Sequence, residues 1–113
     1  MKHTEFVVEV TDAAVRRFAE ASGDWNPIHF DEAAARQAGL PGRCAHGLWI
    51  VGLAGQCLAA AGYRIRRISA RFERPVLVGS SFRMRIREAE GRFLWEAMSE
   101  ADERMASGKI LVY

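Results

Sequence analysis

Only two cysteines occur in the 113 residues, and neither joins a second Cys or His at a zinc-ligand spacing. Cys44 and Cys57 are therefore expected to be reduced thiols rather than a disulfide or a metal staple. Proline is scarce, and no Pro/Gly/Ser-rich stretch separates two segments. That excludes an interdomain linker, and residues 1–113 read as one domain. Long apolar runs are missing too. The weakly polar stretch Ala45–Gly62 is broken by His46 and Gln56, falls short of a membrane span, and reads as a buried helix. The start, Met1-Lys2-His3-Thr4-Glu5, lacks the apolar core of a signal peptide, so the expected compartment is the cytoplasm.

Excess charge of one sign is also absent, at a formal +2 overall, yet Arg64, Arg66, Arg67, Arg71, Arg74, Arg83, Arg85, Arg87 and Arg92 crowd one third of the chain. The plain reading is a solvated strand face. The sharper reading is a surface for phosphates or for an acidic carrier protein, because guanidinium binds phosphate in a bidentate fork. No aromatic interleaving or recognised motif accompanies the arginines, so nucleic acid is not an expected partner, and neither is a membrane.

Half of the residues are apolar, and a chain of this length buries about two-thirds of the surface its unfolded form exposes. Phe6, Val8 and Val10 alternate with Val7, Glu9 and Thr11 as in a short strand. Thr11 or Asp12 caps a helix to about Ser22, with Gly23 as its stop; Asp31 caps a short helix through Ala38, ended by Gly39. A third helix, about Gly47–Ala61, is apolar nearly all round and should be buried on most sides. Its Gly52 and Gly55 suggest close approach by a neighbour. Ile68, Ala70 and Phe72, then Phe82, Met84 and Ile86, alternate with polar residues as half-buried antiparallel strands. Arg92–Ala101 and Met105–Tyr113 complete the strands. The expected class is α+β, a curved antiparallel sheet wrapped around a long central helix. Ile110, Leu111, Val112 and Tyr113 would leave an apolar sheet edge, which dimerisation would cover.

The segment Ser22-Gly23-Asp24-Trp25-Asn26-Pro27-Ile28-His29 is the richest in chemistry. Pro27 keeps Asn26 out of the helical region and fixes a bend, so Asp24 and His29 can converge on one pocket. An Asp and a His facing one water can divide general acid and base work. The bland alternative is a capping Asp and a structural His. His46-Gly47 follows, just before the buried helix, whose N-terminal amides are free to hold a developing oxyanion. His46 is read as orienting that turn. Cys44, two residues from His46, permits a thiol nucleophile, but with no third orienting group core packing is preferred.

These residues resemble the MaoC-like dehydratases and (R)-specific enoyl-CoA hydratases. The match comprises Phe18, the Ser22–His29 block with Ala35, then Ala45-His46-Gly47-Leu48, then Phe72-Glu73-Arg74-Pro75-Val76 with Gly79. The resemblance implies a hotdog fold, usually homodimeric, and reversible syn hydration of a trans-2-enoyl thioester to an (R)-3-hydroxyacyl thioester. It implies that Asp24 and His29 hold and activate the water and that the Gly47 N–H binds the thioester oxygen. Asn26, expected also to shape the loop, lies with His46, Leu48 and Trp49 in the expected substrate-contacting set. No metal or redox cofactor is implied; coenzyme A or the phosphopantetheine of an acyl carrier protein comes as part of the substrate. Ser80 stands where relatives often have Asp, and Gly55 near where some have Ser. A hotdog thioesterase and a non-catalytic acyl-binding subunit are the competing readings.

Overall fold

The computed structural model describes residues 2–113. In chain order the elements are β1 (His3–Glu9), α1 (Asp12–Ser22), a single 3-10 turn (Pro27–His29), α2 (Glu32–Gln37), α3 (Gly47–Ala60), β2 (Ile65–Ile68), β3 (Arg71–Phe72), β4 (Ser81–Ala89), β5 (Arg92–Ser99) and β6 (Arg104–Val112). Local chemistry accounts for the helix ends. The Thr11 hydroxyl accepts from the Ala14 N–H, and Gly23, in the left-handed conformation, closes α1 on the Ala19 carbonyl. Asp31 caps α2 by accepting from Ala33 and Ala34.

All strand pairs are antiparallel, in the order β1-β4-β5-β6-β2, with β3 also on β6. Period-2 alternation sends Phe82, Met84 and Ile86 of β4 and Phe93, Trp95 and Ala97 of β5 to one face. There they meet Ile50, Ala54 and Leu58 of α3 in one apolar core. Burying side chains of this size contributes roughly 1.5–3 kcal/mol each. Among the described residues no helix is long and apolar enough to cross a membrane.

Three expectations change. The Ile68–Phe72 alternation is two short strands rather than one: it breaks at Ser69-Ala70, and Ala70 and Phe72 are exposed. The reason lies across the sheet. The Ser69 carbonyl turns in to accept from the Trp95 indole N–H at 3.1 Å. It passes so close over Gly108 that a Cβ there would stand 1.8 Å from it. Second, Ile110–Val112 form no edge, because β6 lies between β5 and β2; the edges are β1 and the β2–β3 side. Third, α3, expected to be buried on most sides, leaves much of its length open, with Leu48, Gly52, Gln56, Ala59 and Ala60 exposed and Leu48 at 71%. Of its glycines, Gly55 packs under Ile68, whose Cδ1 would lie 2.9 Å from an added Cβ, whereas Gly52 faces open space.

Candidate active site

The loop after α1 is built by short side chains that bond their own backbone. Ser22 Oγ accepts from the Asp24 N–H at 3.2 Å, and Asp24 Oδ1 accepts from the Asn26 N–H at 3.1 Å. Asn26 Oδ1 accepts from the Ile28 N–H at 3.2 Å, capping the Pro27–His29 turn. One Asp24 oxygen is thus spent on shape, and Oδ2 stands 3.9 Å from His29 Nε2. Asn26, expected both to shape the loop and to stand among substrate contacts, gives its carbonyl oxygen to the turn.

His29 is buried, and its Nδ1 lies 2.6 Å from the Cys44 carbonyl oxygen. A carbonyl can only accept, so Nδ1 carries the hydrogen and neutral His29 presents a lone pair at Nε2. Arg43 fixes the same turn from its other side. Its Nε–H donates to the His29 carbonyl at 2.9 Å, and its guanidinium pairs with Asp12 at the start of α1. The Arg43 and Arg16 side chains hold the Asp12 carboxyl below its ordinary value.

His46 precedes α3 and donates from Nε2 to the Asp24 carbonyl at 2.9 Å. Its ring stacks on His29 with centroids 3.7 Å apart and planes 22° apart. Gly47 begins α3, where the first amides have no helical carbonyl to bond. Phe72 of β3 stands over this glycine: an added Cβ would lie 2.8 Å from Phe72 Cζ. Leu48 points outward, whereas Trp49, expected to line substrate, is half-buried and packs edge-on against Phe82 of the core. Cys44 is buried and desolvation raises its thiol, which disfavours thiolate chemistry.

Asp24, His29 and His46 offer donor atoms that all lie within 4.8 Å of one another. Stacked imidazoles send their in-plane lone pairs side by side rather than toward one point. The cluster suits a hydrogen-bonded water better than a tetrahedral cation.

The MaoC like domain family matches residues 2–103. The chain belongs to the MaoC-like family. It is 34% identical over 85 residues to 3-hydroxyacyl-thioester dehydratase X of Mycobacterium tuberculosis, covering 75% of this chain and 30% of that protein. It is 36% identical over 67 residues to a mitochondrial 3-hydroxyacyl-[acyl-carrier-protein] dehydratase of Arabidopsis thaliana, covering 58% of this chain and 40% of that protein. The chain thus spans well under half the length of these curated relatives. An R-hydratase of Pseudomonas aeruginosa has the same fold, with a TM-score of 0.85 at 24% identity over 98% of this chain and 78% of that one. This MaoC-like domain is therefore a hotdog, as the sequence blocks implied.

Several arginines of the expected phosphate surface are paired with carboxylates. Arg83 and Arg85 lie on the face opposite α3, neutralised by Glu5, Glu96 and Asp102. Arg74 pairs with Glu103. A depression of about 520 Å³ on that outer face includes Arg85, Arg87 and Lys109, but no residue of the Asp24–His29 loop. Sequence reasoning missed Arg43 and the Cys44 carbonyl as supports of His29. No local pattern marks them, since a backbone carbonyl can come from any residue.

Proposed function

We propose that this domain reversibly hydrates trans-2-enoyl thioesters to (R)-3-hydroxyacyl thioesters. The observation that carries the reading is the fixed tautomer of His29, with a free Nε2 lone pair 3.9 Å from Asp24 Oδ2. That separation is too long for a direct hydrogen bond and suits one water held by both groups. In hydration the water oxygen bonds to C3 of the enoyl chain. His29 Nε2 takes one water proton and returns it to C2 on the same face, while Asp24 accepts from the hydrogen that stays on oxygen. The C2–C3 double bond becomes single, and one water is consumed. The Gly47 amide, at the positive end of α3, carries the negative charge that gathers on the thioester oxygen.

The acyl group arrives on coenzyme A or on a carrier protein's phosphopantetheine, and the domain itself needs no further cofactor. One curated relative is named for acyl-carrier-protein thioesters, which supports testing both carriers. A homodimer is part of the proposal. Asp24 and Leu48 are exposed in a single chain, and a second chain would wall the site.

The test is a panel of purified protein with crotonyl-CoA, longer enoyl-CoAs and the same chains on carrier protein, followed by loss of enoyl absorbance. Hydration of at least one is expected. None on any, with folding verified, overturns the reading, and release of free thiol without hydration would make the protein a thioesterase.

A further inference from the structure

His46 is the buried polar side chain that the hydration scheme leaves without a task; it is 3% exposed. Its place before α3 calls for a Ser, Thr, Asp or Asn that would bond the free helical amides. His46 makes no such bond, and its Nδ1 is buried without a partner. The ring is committed elsewhere. Nε2 donates to the Asp24 carbonyl, one face lies on His29, and Phe18 of α1 leans on it at 4.9 Å.

Those two engagements join the two halves of the site. Asp24 is otherwise tied only through bonds inside its own loop, to Ser22 and Asn26, and its side chain is 52% exposed. His29 is anchored to the Cys44 carbonyl. His46 is the side chain that bonds one of them and stacks on the other. We propose that His46 is a positioning residue: by holding the Asp24 backbone and the His29 ring together it sets the Asp24–His29 spacing that admits a single water. The inference rests on the hydration reading for its kinetic consequence, and on geometry alone for its structural one. Misplacing a catalytic group by an ångström can cost about a hundredfold in rate.

Two variants separate the engagements. His46→Phe keeps a flat ring against His29 and removes the donor to Asp24; His46→Gln keeps a donor and removes the ring. Loss of the Asp24 tether predicts that His46→Phe lowers kcat at least tenfold with KM changed less than about threefold. His46→Gln should recover part of that loss. Histidine ¹⁵N NMR of the wild-type protein, without substrate, should show His46 protonated on Nε2 and His29 on Nδ1. In His46→Phe the amide resonances of Asp24 and Asn26 should move, while those of α2 should not.

A folded His46→Phe with wild-type kcat and KM overturns the proposal. So does an Nδ1-protonated His46, or equal losses in both variants that track a fall in Tm. If wild-type protein hydrates no thioester, the hydration reading fails by itself. The tautomers and the Asp24 and Asn26 shifts then decide the positioning role.

Discussion

Cys44 carries a buried thiol two residues from His46 in sequence, and its contribution to the site is its carbonyl. Burial raises the thiol and keeps it protonated at neutral pH. Cys44→Ala should therefore retain hydration within a few-fold, measured as kcat on the best enoyl thioester; a loss of a hundredfold would restore the thiol as a reactive group. Asp24→Asn keeps the loop's acceptor for the Asn26 amide but removes the carboxylate, and should lower kcat by about 10²- to 10⁴-fold. Gly47→Ala brings a methyl against the Phe72 ring and moves the amide proposed to bind the thioester oxygen, with an expected loss of about a hundredfold. The convergence of Asp24 and His29 was legible in sequence because Pro27 and the short polar residues between them form a recognisable turn. The placement of Trp49 was not legible, since a helical residue beside a site can equally face the core, and the contact with Phe82 depends on packing.

The elements themselves were largely readable, because caps and alternation are local. Pairing partners were not. The apolar run Ile110–Val112 looks the same whether its strand is an edge or has neighbours on both sides. The break between β2 and β3 depends on Gly108, far along the chain from the Ser69 carbonyl it makes room for. Gly108→Ala should destabilise the fold by about 1–3 kcal/mol or more, read from the denaturant midpoint, because the obstruction is backbone and cannot rotate aside. The link from α1 to the His29 turn through Asp12 and Arg43 predicts a pH dependence. Asp12 is held below 3.8 in the folded chain, so its charge favours folding above that pH. The advantage disappears as pH falls through the lowered value. Wild type and Asp12→Asn should differ in urea midpoint near neutrality and converge once the pH falls below the lowered Asp12 value.

For the whole molecule, Leu48 and Phe72 expose apolar surface beside the start of α3, and two sheet edges are open. An isolated patch of this kind invites a partner surface. Sedimentation should give a dimer, and Leu48→Asp should move it toward monomer at micromolar concentration. A wild-type monomer at working concentrations would remove the second chain from the proposed site. The arginine cluster taught a related lesson: alternation that buries Phe82, Met84 and Ile86 must place Arg83, Arg85 and Arg87 on the other face. That is the solvated strand face of the plain reading, and the pleat decides which way it points.

The central place of β6 has a consequence for how the chain acquires its shape. β2 and β3 pair with no strand except β6, and β3 brings Phe72 over Gly47. During synthesis these strands emerge first and wait, unpaired, until residues 104–112 leave the ribosome. The hairpin of β4 and β5 can close earlier because its partners are adjacent in sequence. A chain interrupted after Glu103 would keep every side chain of the Asp24–His29 loop and still lack the strand that holds one wall of the site in place.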